Sequence, residues 1–97
     1  VFNVGSGRSI TVREIALRMS AILGKEHIAP TITGNYRVGD IRHCFADIGL
    51  AREILGYAPQ TEFNAGLIDL ARWLESQVAV DHVGTAQAEL AARGLTI

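Results

Sequence analysis

The chain has a single cysteine, Cys44. No intramolecular disulfide is available, and a reducing compartment such as the cytoplasm is expected. Without a second cysteine there is also no zinc spacing. Charge excess is missing too: nine Lys and Arg stand against ten Asp and Glu. A nucleic-acid binder would carry a basic surplus or stripe, so no nucleic-acid partner is expected. No apolar run approaches the roughly 20 residues that span a bilayer, so no membrane partner is expected either. Nothing at the start reads as a signal peptide. There is no internal repeat and no low-complexity tract. What remains is a chain of 97 residues, 48% apolar and 20% charged, enough for one small, soluble, globular domain.

The densest chemistry lies from Tyr36 to Asp47. Arg37, Asp40, Arg42 and His43 fall within seven positions, beside Tyr36 and Gly39. Arginine presents a planar fork of donors that matches phosphate and carboxylate oxygens. Gly39 lets the backbone bend or approach a ligand. An acid beside that fork either holds the arginine or accepts hydroxyl hydrogen bonds from a sugar. The plain alternative is a surface loop with a local salt bridge.

In chain order, Val1–Val4 reads as a short strand, apolar on both faces as in a covered parallel sheet. Its abrupt opening, with no methionine, suggests a start inside a longer reading frame, or a family of longer proteins cut at this point. Gly5-Ser6-Gly7 follows, but a dinucleotide loop needs a third glycine where Ile10 stands; a tight strand-to-helix turn is the simpler account. Thr11 and Glu14 form a capping box for a helix that Gly24 ends. Its apolar face comprises Val12, Ile15, Ala16, Met19, Ile22 and Leu23. Ile28–Thr33 reads as a second strand, and Phe45-Ala46 as a brief extended piece. Asp47 is a natural cap for a second helix, stopped by Gly56. Thr61 or Asn64 is expected to cap a third, with Phe63, Leu67, Leu70, Ala71 and Leu74 on its buried side. A last helix is expected from about Thr85 to Arg93. Cys44 reads as a buried thiol; adjacent to His43 in an extended segment, the two point to opposite sides and do not form a nucleophile–base pair.

Phe2-Asn3-Val4-Gly5-Ser6-Gly7, Thr11–Ala16, Tyr36–His43, Ala46-Asp47-Ile48, Leu55-Gly56-Tyr57 and Trp73-Leu74 together resemble the C-terminal, substrate-binding part of the extended short-chain dehydrogenases/reductases. Those are the NAD-dependent nucleotide-sugar epimerases and dehydratases. The resemblance covers about residues 1–77. It implies that Arg37 reaches the pyrophosphate of a nucleoside-diphosphate sugar and that Asp40 lies near its ribose and phosphate end. Tyr36, Arg42 and His43 belong to the same implied substrate site, the last two as loop braces or ligand contacts. The family's NAD loop and its catalytic Tyr-x-x-x-Lys pair have no counterpart here: Lys25 is the only lysine and no tyrosine precedes it by four. No catalytic residue and no cofactor is therefore expected in this chain, NAD belonging to full-length relatives.

These readings lead to an α/β fold, a small domain of about four helices with two or three short strands, lacking the Rossmann half of its family. Residues 1–77 form the epimerase-like domain, and 78–97 an extension that docks or oligomerises. The expected function is weak, partial nucleotide-sugar binding without catalysis. The alternatives are a small assembly protein that has lost its ligand, or half of a split enzyme with a separate NAD-binding chain. A homo-oligomer is expected, because an unpaired apolar strand is a liability.

Overall fold

The computed structural model describes residues 1–97. Its elements are four helices: α1 Val12–Ile22, α2 Gly49–Leu55, α3 Phe63–Glu75 and α4 Val83–Ala92. The chain divides into two compact units. Unit 1 comprises Val1–Pro30 and His43–Ser76; unit 2 comprises Thr31–Arg42 and Gln77–Ile97.

The expected helix count holds, and the expected strands do not. The one strand-like pairing is an isolated antiparallel bridge between Arg37 and Thr96. Val1–Val4, Ile28–Thr33 and Phe45-Ala46 are extended or irregular without a ladder. A strand exists only through its partner's hydrogen bonds, and β-prone side chains do not replace them. The α/β expectation thus gives way to a helical chain.

In unit 1, α1 begins as its sequence demands. Thr11 Oγ1 accepts from the Glu14 N–H at 3.1 Å, and the Glu14 carboxylate accepts from the Thr11 N–H at 3.4 Å. The N-cap position of α2 falls to Ile48, without a side-chain cap; Asp47, expected there, stands one residue earlier, and its Oδ1 accepts from the Gly49 N–H at 2.9 Å. α3 starts on a different residue from those expected. Neither Thr61 nor Asn64 caps it; Glu62 does, accepting from the Ala65 N–H at 3.1 Å. A glutamate reaches the same orphan donor as a shorter cap does, and adds a negative charge at the helix start.

The N–H groups of Asn64, then Ala65, hold the Glu62 carboxyl below the usual glutamate range. Because its folded pKa is lowered, the stabilisation it brings is complete above the ordinary glutamate pKa. It is lost as pH falls through the lowered folded value. Acid titration of the helical signal should show that step in the native chain and lose it in Glu62→Gln. An unchanged acid profile in the variant would mean the cap carries no stability.

The core of unit 1 is small. Ile48, Ala51, Leu67 and Ala71 are the buried apolar residues. α1 packs on α3, with Ile15, Ala16, Met19 and Ile22 half-buried. Phe63, Leu70 and Leu74, expected on the buried side of α3, are exposed. Of that stripe only Leu67 and Ala71 are buried, and α1 is the one helix that packs on α3. Cys44 is exposed as well: its irregular segment has nothing packed over it.

Unit 2 is α4 together with two short segments. Asp81 Oδ1 accepts from the Val83 N–H at 2.9 Å, so α4 starts two residues before the expected Thr85. Gly94, at φ 65°, ends it. The chain then turns back: Leu95, Thr96 and Ile97 run antiparallel to Tyr36, Arg37 and Val38.

Candidate functional site

Gly39 explains the local form of the charged loop. The Asp40 N–H donates to the Arg37 carbonyl at 3.1 Å, closing a four-residue turn. Gly39 sits third in that turn at φ 89°, a position that L side chains resist. The turn swings the Asp40 carboxylate back onto its own arginine, where Arg37 Nε donates to Asp40 Oδ2 at 2.9 Å.

Nε is the side donor of the guanidinium. Its use on Asp40 fixes the plane of the group and leaves the two terminal nitrogens without a partner in the chain. Arg37 is 62% exposed and Asp40 50%. In isolation such a pair stabilises a fold by less than about 1 kcal/mol. Its chemical capacity lies elsewhere: an oriented, still unsatisfied fork suits a phosphate or carboxylate.

The fork stands at a cavity of about 480 Å³ within unit 2. One wall is the loop, with Thr33, Asn35, Tyr36, Arg37 and Asp40. The other is the C-terminal segment, with Gln87, Leu90, Ala91 and Thr96. Of the five residues read from the sequence, the structure brings Tyr36, Arg37 and Asp40 to one cavity. Arg42 and His43 are exposed and line no part of it.

Gln87 falls in the expected last helix and Thr96 beyond it, and nothing in the local pattern ties either to the Arg37 loop. The signal available was Leu95-Thr96-Ile97, a β-prone triplet placed just after the helix-ending Gly94.

A second open cavity, of about 470 Å³, lies in unit 1 beside Arg8, Arg18 and Arg52. There Arg18 is already held, by Glu14 at 3.4 Å and Asn64 at 2.8 Å, and stacks over Phe63 at 5.6 Å.

The glycine pair near the start does not form a cradle for a dinucleotide. A Cβ on Gly5 would come within 3.0 Å of the Ala46 side chain, and one on Gly7 within 3.2 Å of Ile48. The space that glycines leave for a diphosphate in a cofactor loop is filled here by the chain itself. Tyr57 closes the same turn by donating its hydroxyl to the Gly5 carbonyl at 3.1 Å. No group of three or more His, Cys, Asp or Glu side chains converges to hold a metal ion. No helix is long and apolar enough to cross a membrane.

Against known proteins, the chain is 28% identical over 78 residues to the dTDP-L-rhamnose 4-epimerase of Burkholderia thailandensis, covering 80% of this chain and 21% of that protein. It is 32% identical over 77 residues to the UDP-glucose 4-epimerase of Bacillus subtilis, covering 79% and 22%. It is 33% identical over 73 residues to UDP-glucuronate 4-epimerase 3 of Arabidopsis thaliana, covering 75% and 17%. The chain thus spans about a fifth of the length of the curated relatives it matches. No protein-family model matches it, and no solved structure does. A matched stretch of 73 residues cannot lie on a 97-residue chain without including positions 25–73. The Arg37–Asp40 turn is therefore inside each match.

Proposed function

The chain is related in sequence to the nucleotide-sugar epimerases, and from that premise we propose that it binds the diphosphate end of a nucleoside-diphosphate sugar without transforming it. The observation that carries this reading is the Arg37 guanidinium, clamped through Nε by Asp40 and open at its terminal nitrogens, at the edge of a cavity. That arrangement suits charge-assisted bonds to a pyrophosphate. Tyr36 offers an aromatic edge for a base or sugar, and Asp40 Oδ1 remains an acceptor for hydroxyls.

No Tyr-x-x-x-Lys pair and no phosphate cradle support chemistry or NAD in this chain, so we assign it recognition alone. Affinity is expected in the millimolar range, because the site is shallow and most of its groups are exposed.

Titration with UDP, dTDP and a UDP-sugar, read as backbone amide shifts, tests the proposal. Shifts clustered at residues 33–40 support it. Their absence at millimolar nucleotide overturns it.

The uncovered apolar surface favours a second property. Phe45 is 61% exposed, Ile54 62% and Leu55 58%. Large apolar side chains left exposed in such number are a feature of interfaces. We propose that unit 1 functions seated on another protein surface, either a second copy or a chain carrying the NAD-binding half. Sedimentation at micromolar concentration should show association for the chain alone or with such a chain. A clean monomer in both cases would exclude it.

A further inference from the structure

We propose that Thr96, near the end of the chain, is a ligand-binding residue of the Arg37 site, its hydroxyl donating to the same diphosphate that Arg37 grips. The proposal rests on the reading of the cavity as a nucleotide-sugar site. It adds a residue that lies outside the stretch, about 1–77, on which the sequence resemblance was drawn.

The backbone register places the two side chains together. Tyr36 and Ile97 exchange both of their hydrogen bonds, at 2.9 and 3.0 Å. The Val38 N–H donates to the Leu95 carbonyl at 2.9 Å. Between them, Arg37 and Thr96 form the opposed pair of the bridge. In antiparallel pairing, a pair flanked in this way makes no ladder bonds of its own, and its side chains are the closer kind, on one face. Both residues line the same cavity.

The second observation is an orphaned group. Thr96 Oγ1 is buried and has no hydrogen-bond partner. Buried hydroxyls are as a rule satisfied, and one left alone destabilises the fold it sits in. Here the neighbour on its face is a guanidinium, which offers only donors, so Thr96 cannot donate to it. What the hydroxyl proton lacks is an acceptor, and what the Arg37 fork lacks is an anion. A phosphate oxygen meets both needs at once, and a phosphate supplies enough oxygens for both donors.

Thr96→Val keeps the branched shape and the β preference while deleting the hydroxyl. It should weaken UDP binding by about ten-fold or more, the range a hydrogen bond to a charged group contributes. It should leave the melting temperature unchanged or raised, since an unsatisfied polar atom is removed. Thr96→Ser keeps the hydroxyl and should retain affinity. Amide shifts at Tyr36, Val38 and Ile97 report whether the pairing persists in each variant. If the native chain binds UDP and Thr96→Val binds equally well with its pairing intact, the role of Thr96 is refuted and the site reading stands. If Thr96→Ser loses as much as Thr96→Val, the hydroxyl is not the contact. If the native chain does not bind UDP at all, both fall together.

Discussion

Arg37→Ala should abolish measurable binding of UDP and dTDP. A hydrogen bond to a charged group contributes about 1.5–3 kcal/mol, and the open end of the guanidinium provides two. Against a millimolar starting affinity, the loss of even one, more than ten-fold, moves binding out of range. The fold should barely respond, because the Arg37–Asp40 pair is exposed and such pairs contribute less than about 1 kcal/mol. Arg37→Lys keeps the charge but not the fork or the Nε contact, and should recover only a small part. Amide-shift titration of the three proteins decides the matter. Binding by Arg37→Ala within three-fold of native would remove the guanidinium from the site.

Leu67→Ala should have the largest effect on stability. Leu67 is one of four buried apolar residues and the largest on α3. Truncating a buried leucine costs about 2–5 kcal/mol, through lost transfer energy and the cavity left behind. Folded domains have only about 5–15 kcal/mol in total, and this one buries less than most. Unit 1 should therefore unfold at much lower urea, or fail to fold at 25 °C. Val78→Ala, at a residue 91% exposed, should shift the midpoint by less than about 0.5 kcal/mol. Urea titration followed by circular dichroism measures both. Equal midpoints for the two variants would show that Leu67 is not core.

Much of this was legible in the residues. The capping box at Thr11 and Glu14 is a local code, and α1 obeys it. Gly24, Gly56 and Gly94 sit at positive φ just past the helices they were expected to end. Gly39 was expected to let the backbone bend, and it sits at positive φ in the turn that Asp40 closes on Arg37. The strands were not legible in the same way, since Val1–Val4 has strand composition and no partner to pair with. The helix faces misled for a related reason: Phe63, Leu70 and Leu74 share a stripe with Leu67, but periodicity reports which side is apolar and not what lies opposite it. The second wall of the cavity was hidden because it depends on a pairing between distant residues, which no local pattern encodes.

That pairing also sets the order of events in folding. Tyr36 and Ile97 stand about 60 residues apart, and closing so long a loop costs entropy before any bond returns it. α1 and the cap of α3 need only neighbours, and form early. The wall of the candidate pocket made by Gln87, Leu90, Ala91 and Thr96 meets the Arg37 loop only once that closure is made. The Arg37–Asp40 turn is local and needs no such closure, so the fork is set before the cavity around it.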